Sequence, residues 1–384
     1  MLSIRRVLLR GPIEDAFVYR STILCWTFGG AMLRVPVPAV ERALERDFGE
    51  AGVAVSALLF HSGGLGASAD QSEAWWRNIA YDAEDSDFGL IEIDLSTVEH
   101  SEHRLGIEAD DVLDMLAYAD RLYLATDGGL FSNDLTSDFN SNVEPASHRI
   151  SVPTYAAAAS YGSVAASCGE AGLRMLFDDF GWSGRTADHR AERVSDYSVR
   201  AEYASGRLLN FRSHSEIELF RGDVVEASAP RSPNEARVIV GLEAVDEAGD
   251  DLLDRFDSAD VDFVTSWLGK LLVLAGGRVM SRTLRRRDDR LTAQGQVKTI
   301  GHYRGKPLSA VRVRDRLLVE TSEELLALSS DDDEAGNGYQ RVGTGPVVSL
   351  RAFPNSKRYR DMAIVTSEAG LNLIGVPRVV RAEC

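Results

Sequence analysis

One stretch decides the fold: Tyr118 to Ser132, with the sequence YADRLYLATDGGLFS. Leu122 and Leu124 alternate with other residues, so their side chains fall on one face of a β-strand. Residues 127–129, Asp-Gly-Gly, can adopt the positive φ that a tight hairpin turn requires, and a second apolar run follows them. The stretch therefore predicts a β-hairpin.

The hairpin pattern occurs seven times along the chain. The other six copies span residues 20–35, 161–177, 205–222, 268–284, 313–329 and 359–375. Measured from turn to turn, successive copies are 99, 42, 44, 62, 46 and 46 residues apart. Four of these intervals match a four-stranded propeller blade of about 40 to 50 residues, and the two longer ones indicate insertions. The sequence thus predicts an all-β, seven-bladed β-propeller.

Further strands flank the hairpins and bring each unit to four. Apolar or β-branched runs precede six of them, at 112–118, 154–160, 197–203, 260–267, 308–313 and 347–353. Four shorter candidates lie at 148–152, 190–194, 296–301 and 339–343. The run Ile4–Leu9 has no blade before it, so we expect it to complete the seventh blade and close the propeller without an exposed sheet edge.

Composition agrees with a single propeller domain spanning residues 1–384. The chain is 44% hydrophobic and contains 33 glycines, which suits a turn-rich β protein. Its 59 carboxylates against 42 Lys and Arg give a formal net charge of -17, which disfavours nucleic acid and anionic membranes as partners. No apolar stretch reaches the roughly 20 residues needed to span a bilayer. Three scattered cysteines do not make a disulfide framework, which favours the cytoplasm.

The long first interval contains an inserted, partly helical segment, residues 36–87, in the first blade. Apolar residues three and four apart predict an amphipathic helix over Pro38–Glu50, followed by a strand over Val53–Phe60. A second helix is expected to carry Trp75 and Trp76. Aromatic side chains on an inserted element are common interface anchors, so both tryptophans are candidate partner-binding residues; the alternative is that they only fix the insertion onto the propeller.

Other candidate sites are weak. The run Gly63–Ser68 follows a predicted strand, as a phosphate-binding turn does, but it lacks the Lys-Ser/Thr of a P-loop and we expect a connector. His100 and His103 have metal-compatible spacing but no further ligands, which indicates an exposed loop. Asp331–Glu334 indicates an acidic turn, and Cys168 a small core residue with no activating His nearby in sequence. We therefore assign no catalytic, cofactor or metal residue.

One local cluster is basic. Arg282, Arg285, Arg286 and Arg287 lead out of the fifth hairpin and are followed at once by Asp288 and Asp289. This pattern is typical of a solvated turn whose charges compensate each other. The alternative is a patch that binds RNA or an acidic protein, for which Arg285, Arg286 and Arg287 are the candidate contact residues.

The phrases LYLATDGGLF and AIVTSEAGLNLI resemble the strand-turn-strand unit of WD40-like and regulatory-type propellers. Thr126 with Gly129-Leu130, Ser167 with Gly172-Leu173 and Thr366 with Gly370-Leu371 carry the resemblance. It covers nearly the whole chain outside the insertions, although the Gly-His and Trp-Asp dipeptides of WD40 repeats are missing. The resemblance implies a rigid platform for protein partners.

We therefore expect a non-catalytic scaffold or sensor module that binds another protein within a larger intracellular assembly. The partner would bind a propeller face or the insertion. The first alternative is an enzyme or small-molecule binder with its site in the propeller channel, of the lactonase, lyase or glycosidase kind. The second alternative is recruitment of nucleic acid through the arginine cluster.

Overall fold

A computed structural model gives the architecture. The structure describes residues 5–61, 90–107, 111–135, 145–181, 190–204, 207–213, 216–228, 237–245, 252–253, 256, 261–267, 270–287, 290–313, 316–329, 339–344, 347–353, 356 and 358–376. The strands within these residues form seven sheets. The sheets are the blades of a seven-bladed β-propeller, as the sequence predicts.

Residue contacts divide the chain into two compact units, the first made of residues 1–103 and 303–384. Its N-terminal part comprises β1 (Arg5–Arg10), β2 (Ile13–Tyr19), β3 (Thr22–Thr27), β4 (Met32–Pro36), α1 (Val37–His61), β5 (Leu90–Asp94), a 3-10 turn (Leu95–Thr97) and β6 (Ser101–His103). Its C-terminal part comprises β23 (Pro307–Val313), β24 (Arg316–Thr321), β25 (Glu324–Ser329), β26 (Tyr339–Thr344), β27 (Ser349–Ala352), β28 (Met362–Ser367) and β29 (Gly370–Gly375). The orders β2-β3-β4-β6, β23-β24-β25-β26 and β27-β28-β29-β1-β5 give the first, sixth and seventh blades.

The second unit, residues 104–302, holds the other four blades. The second and third blades comprise β7 (Val112–Tyr118), β8 (Arg121–Thr126), β9 (Gly129–Asp134), β10 (Ser147–Ile150), β11 (Ala156–Ser160), β12 (Ser163–Ser167), β13 (Leu173–Leu176) and β14 (Glu192–Ser195). The fourth and fifth comprise β15 (Arg200–Ala204), β16 (Arg207–Phe211), β17 (Ile217–Glu226), β18 (Arg237–Ala244), β19 (Val261–Trp267), β20 (Lys270–Ala275), β21 (Arg278–Arg287) and β22 (Arg290–His302). All seven predicted hairpins are present.

The closing strand is where the sequence places it. β1 pairs antiparallel with β29 over its full length, with Leu9 opposite Leu371. At the start of β29, Gly370 has a φ of +131°, and a Cβ atom there would lie 2.2 Å from the Leu9 carbonyl oxygen. Only glycine permits this close approach. The structure adds a fifth strand that the sequence did not predict, because β5 pairs in parallel with the outer side of β1.

The insertion begins with a bent helical hairpin, and here one prediction is wrong. Val53–Phe60 was expected to form a strand, whereas it is the second arm of α1. Its buried residues, including Ser56, Leu59 and Phe60, follow the spacing of a helix face. The continuous apolar composition of this run concealed that spacing. The two arms meet at Gly49, which has a φ of +57°. The predicted first helix corresponds to the first arm.

The helical hairpin is tied to its own unit. Phe60 and Leu59 are fully buried in the core shared with the first and seventh blades. Arg358, in the loop between β27 and β28, donates from Nε to the Phe60 carbonyl (3.0 Å) and from a terminal nitrogen to Ser21 Oγ (2.7 Å). His61 Nε2 lies 2.5 Å from Glu41 Oε1, which links the two arms. The described part of the insertion is thus packed structure.

Polar side chains link the inner strands of consecutive blades within each unit. In the first unit, Arg351 on β27 forms an ion pair with buried Asp15 on β2. In the second unit, Asp114 on β7 accepts a hydrogen bond from the Ala157 amide on β11 (2.7 Å). Glu202 on β15 accepts one from the Thr265 hydroxyl on β19 (3.2 Å). These bonds add directional links to the apolar packing between sheets.

Within the described residues, a hydroxyl side chain caps the hairpin turn in the first, second, sixth and seventh blades, whereas Ser167 Oγ of the third blade has no hydrogen-bond partner. Thr126 Oγ1 donates to the Gly129 carbonyl (2.9 Å) and accepts from the Gly128 amide (3.1 Å). In the seventh blade the residue in this role is Ser367, one position after the expected Thr366. Thr366 instead donates to the Glu14 carbonyl of the first blade (2.9 Å). The sequence motif therefore serves two purposes, turn closure and blade contact.

A buried ion cluster joins the second and third blades. The Asp179 carboxylate, just after β13, is fully buried and contacts three groups of the second blade. Arg121 donates to it at 2.7 Å, the Tyr123 hydroxyl donates at 2.5 Å, and Arg149 forms a second ion pair with it. Burial and the neighbouring carboxylate raise the pKa of Tyr123, so this hydroxyl stays protonated.

Removing residues 1–11 should expose the edge of β29 and lower the free energy of unfolding severely or cause aggregation, because an unpaired central edge recruits other chains. Thermal unfolding and sedimentation measure both effects. Arg10→Ala is the control. It keeps the strand and removes one exposed ion pair with Glu92, so it should cost less than about 1 kcal/mol. A soluble truncation with an unchanged melting temperature would show that β1 is not needed for closure.

Asp179→Ala should lower the free energy of unfolding by about 3 to 5 kcal/mol, because it removes the buried counter-ion of Arg149 and leaves Arg121 with only the exposed Asp134. Urea unfolding at neutral pH provides the measurement. The matched control is Asp134→Asn. Asp134 also pairs with Arg121 (2.8 Å) but is 74% exposed, so its loss should cost less than about 1 kcal/mol. Equal effects of the two variants would contradict the role given to the buried cluster.

Candidate functional site

Part of the predicted site lies outside the described residues. This holds for Trp75 and Trp76, for the glycine run 63–68 and for the acidic run 331–334. What the sequence predicts for them therefore stays a prediction.

The arginine cluster lies on a strand and not on a turn, so the interpretation as a solvated turn is wrong for Arg282–Arg287. β21 and β22 form a long hairpin paired as far as Arg287 opposite Arg290. The strands extend past the end of β20, which pairs with β21 only up to Thr283. Arg282 is buried, donates to the Ala293 carbonyl and lies over the Phe256 ring. Arg285 is exposed, and Arg286 and Arg287 continue the strand.

The histidine and cysteine candidates are structural. His103 belongs to β6, the outer strand of the first blade, so the expected exposed loop is instead a short strand. Its Nε2 lies 2.8 Å from Ser101 Oγ, while His100 Nδ1 lies 2.8 Å from the Val98 carbonyl. Within the described residues, no three His, Cys, Asp or Glu side chains are grouped to hold a metal ion. Cys168 is buried in the core, and this burial raises the pKa of its thiol.

A recurring exposed position emerges only from the sheet register. It is the residue directly before an inner-strand residue that pairs with the end of the second strand. That pairing is with the last residue of the second strand in the third and fourth blades and with the last but one in the other blades. In the second unit, Leu113 precedes Asp114, Tyr155 precedes Ala156 and Val199 precedes Arg200. Their relative exposures are 44%, 50% and 40%. We call Leu113, Tyr155 and Val199 the apolar row; it runs along three consecutive blades.

Backbone hydrogen bonds fix the apolar row in place. The Tyr155 amide donates to the Ser167 carbonyl (2.8 Å) and the Val199 amide to the Phe211 carbonyl (2.9 Å). Gly169, in the turn between β12 and β13, has a φ of +56°, and a Cβ atom there would lie 2.9 Å from the Tyr155 ring. The ring thus rests against a position that must be glycine. An exposed ring held in one place can bind a partner at small entropic cost.

The charged residues around the apolar row are mostly acidic. The turns and loops at the same ends of these strands carry exposed carboxylates, which we call the acidic rim: Asp111, Asp127, Glu170, Asp196 and Glu216. Two arginines lie among them. Arg212 pairs with Asp196 and Glu216, each at 2.9 Å, and Arg193 donates to the Asp196 carbonyl at 2.9 Å. The carboxylates therefore outnumber the cations at this end of the three blades.

The same position is apolar in part of the first unit. It is occupied by Leu308 in the sixth blade and Val348 in the seventh, which are 51% and 47% exposed. In the first and fifth blades it is occupied by Glu14 and Asp262. Exposed apolar side chains at five equivalent positions form a pattern, whereas single exposed apolar residues are ordinary.

Comparisons with known proteins identify the fold and no family. No protein-family model and no curated protein matches the chain. A WD40 β-propeller domain of Doa1 matches with a TM-score of 0.51 and 9% identity over 98% of each chain. The extracellular domain assigned to a one-component system, BT4673 of B. thetaiotaomicron, matches with a TM-score of 0.51 and 12% identity over 100% of this chain. The surface component PorZ of Porphyromonas gingivalis matches at 0.50 with 10% identity over 97% of this chain.

This chain spans 43% of the BT4673 structure and 39% of the PorZ structure. At such identities the likeness shows the β-propeller alone. In the described part of the chain, no helix is long and apolar enough to cross a membrane.

The first unit contains a buried carboxylate besides Asp15 and Asp361. Glu320 on β24 is 5% exposed, and no donor in the described residues contacts its carboxylate. It follows Leu318 on the face that packs against Val365 of the seventh blade. Burial raises its pKa from 4.5 to about 7, because transfer out of water penalises the charged form.

Glu320→Gln should make stability less dependent on pH. Since the folded-state pKa is raised, the contribution of Glu320 is fully present below pH 4.5 and lost as the pH rises through about 7. Relative to the wild type, the variant should gain about 3 kcal/mol in free energy of unfolding between about pH 5 and pH 8. Urea unfolding across this range is the measurement. The exposed neighbour Glu323→Gln is the control, with a change below about 0.5 kcal/mol. Parallel wild-type and variant curves would contradict the shift.

Proposed function

We propose that this protein is a non-catalytic interaction module of a larger intracellular assembly and that it binds its partner with the apolar row. The observation that carries the proposal is the recurrence of an exposed apolar residue near the start of the inner strand in three consecutive blades. Folding does not require an apolar residue at this position, because the first blade has Glu14 there. Burial of the row against a partner would be favourable by about 25 cal/mol per Å² of apolar surface.

The surroundings of the row suit a docking platform. Each of its residues directly precedes a residue that is paired into a sheet, and the three blades are packed side by side through their inner strands. A partner would meet groups that are already in place, so little conformational entropy is lost on binding. Propellers without an evident catalytic group commonly act in this way, which is an analogy at the level of fold.

The inserted segment remains a second candidate for partner binding. Its described part, α1, is packed onto the first unit, while Trp75 and Trp76 lie in the part that is not described. A cytoplasmic location is part of the proposal and is supported by the two buried, unbridged cysteines Cys25 and Cys168. No specific observation favours the enzyme alternative, in which the site would lie in the channel.

Recruitment of nucleic acid through β21 and β22 is less well supported. The long hairpin does present Arg285, but Arg282 is held inside the protein by its bond to Ala293. The candidate patch is thus reduced to Arg285, Arg286 and Arg287. A net charge of -17 also opposes a polyanion.

Tyr155→Ser combined with Val199→Ser should weaken binding of the native partner about tenfold or more, because truncating anchors at the centre of an interface is costly. The partner is co-purified with the tagged chain from its host, and its affinity for each purified variant is then measured by calorimetry. Stability should change by less than about 1 kcal/mol, since both side chains are half exposed.

Val224→Ser is the matched control. Val224 is an equally exposed valine (44%) on the distal half of β17, away from the row, and its replacement should leave affinity unchanged. Trp75→Ala and Trp76→Ala test the competing element. Loss of the partner in a tryptophan variant, with full affinity in the Tyr155/Val199 variant, would transfer the docking role to the insertion.

A further inference from the structure

We infer that the partner segment which docks on the apolar row is basic, with apolar side chains set among Lys or Arg residues. This inference rests on the proposed function, because it names the chemistry of the partner at the same site. It depends on a separate observation, the charge of the acidic rim.

The excess of negative charge at the rim is real after ion pairing is considered. Arg212 is shared by three carboxylates, since its guanidinium lies 2.9 Å from Asp196 and Glu216 and 3.4 Å from Glu218. A single positive charge cannot neutralise all three. Asp196 stays 71% exposed and Glu216 stays 55% exposed, so both remain available to a ligand.

The second arginine is engaged with the backbone. Arg193 donates to the carbonyl oxygens of Glu170 and Asp196 (3.4 and 2.9 Å) and from Nε to that of Ser195 (3.3 Å). Its side chain is therefore committed to holding the loop before β15. Together with Arg212 it makes two cations among the five carboxylates of the rim.

The rim also covers the second blade. The Asp127 amide donates to the Asp111 carbonyl at 3.4 Å, and Asp127 Oδ1 accepts from the Asp111 amide at 3.4 Å. These long contacts place two exposed acidic residues next to each other beside Leu113. The charge thus extends along all three blades that carry the apolar row.

Apolar and charged groups select different features of the partner. The apolar row supplies affinity by removing Leu, Val or aromatic side chains of the partner from water. The rim supplies selection, because an acidic segment would be repelled and a basic one attracted over roughly the 8 Å Debye length at physiological salt. A segment with both features satisfies both parts of the surface.

Three labelled synthetic peptides of equal length test the inference by fluorescence anisotropy. The first alternates Arg or Lys with Leu and Tyr, the second replaces each basic residue by Glu, and the third replaces each apolar residue by Ser. The full-length protein should bind the first peptide at least about tenfold more tightly than either of the others. Raising the salt from about 0.05 to 0.3 M should weaken that binding roughly fivefold, because the attraction is screened.

Two sets of variants separate charge from apolar contact. Binding of the basic peptide should be about fivefold or more weaker in a triple variant with Asp127→Asn, Asp196→Asn and Glu216→Gln. The matched control makes the same change in net charge on β17 and β18, with Asp223→Asn, Glu226→Gln and Glu243→Gln, and should have no effect. The Tyr155/Val199 variant should also bind the basic peptide about fivefold or more weakly.

The outcomes are distinguishable. If the rim variant binds like the wild type while the Tyr155/Val199 variant loses binding, the partner is not selected by charge and this inference is wrong, although the proposed function holds. If only the rim variant loses binding, the contact is unspecific electrostatics and both are wrong. Equal binding of the acidic peptide, or no binding of the basic one at low salt, overturns the inference directly.

Discussion

Pairing between the two ends of the described chain is the constraint on which the rest depends. β1 (Arg5–Arg10) supplies the fourth strand of the seventh blade, opposite β29 (Gly370–Gly375), and β2 of the first blade follows after two residues. The first and seventh blades are therefore tied covalently and by a full ladder of backbone hydrogen bonds. The Arg351–Asp15 ion pair adds a side-chain link between the same blades. Closure of this kind leaves the short outer strands as the remaining edges.

Regular blades explain why a binding surface can be read from register. Because the blades repeat the same order of antiparallel strands, a residue at a given place along the inner strand has counterparts in the other blades. Buried counterparts form the inter-blade core, whereas the position of Leu113, Tyr155 and Val199 is held at the strand ends and stays exposed. Evolution of a partner site then needs only a change of side chain, as the acidic residues Glu14 and Asp262 at the same position illustrate.

The propeller was predictable from the sequence, and the candidate site was not. Alternation and turn residues such as Asp127-Gly128-Gly129 are local signals, so each hairpin was found. The apolar row is a tertiary pattern that appears only when the inner strands are aligned on their partner strands, with the bulges included. An alignment of the predicted strands with one another was the one signal in the sequence that could have revealed it. Val53–Phe60 was mistaken for a strand because a short apolar run has no clear period. Arg282 is buried by contact with Ala293 and Phe256, distant features that its neighbours in sequence do not show.

The most direct test of the account is hydrogen exchange of the protein alone and bound to its native partner, followed by mass spectrometry. The account predicts slower exchange on binding at the described turns and strand starts around Leu113, Tyr155 and Val199, including 111–114, 126–128, 154–156, 168–172 and 196–200. Exchange in α1 and in the β21–β22 hairpin should stay the same. Protection confined to α1, to residues 62–89 or to β21–β22, with no change around the apolar row, would contradict the account.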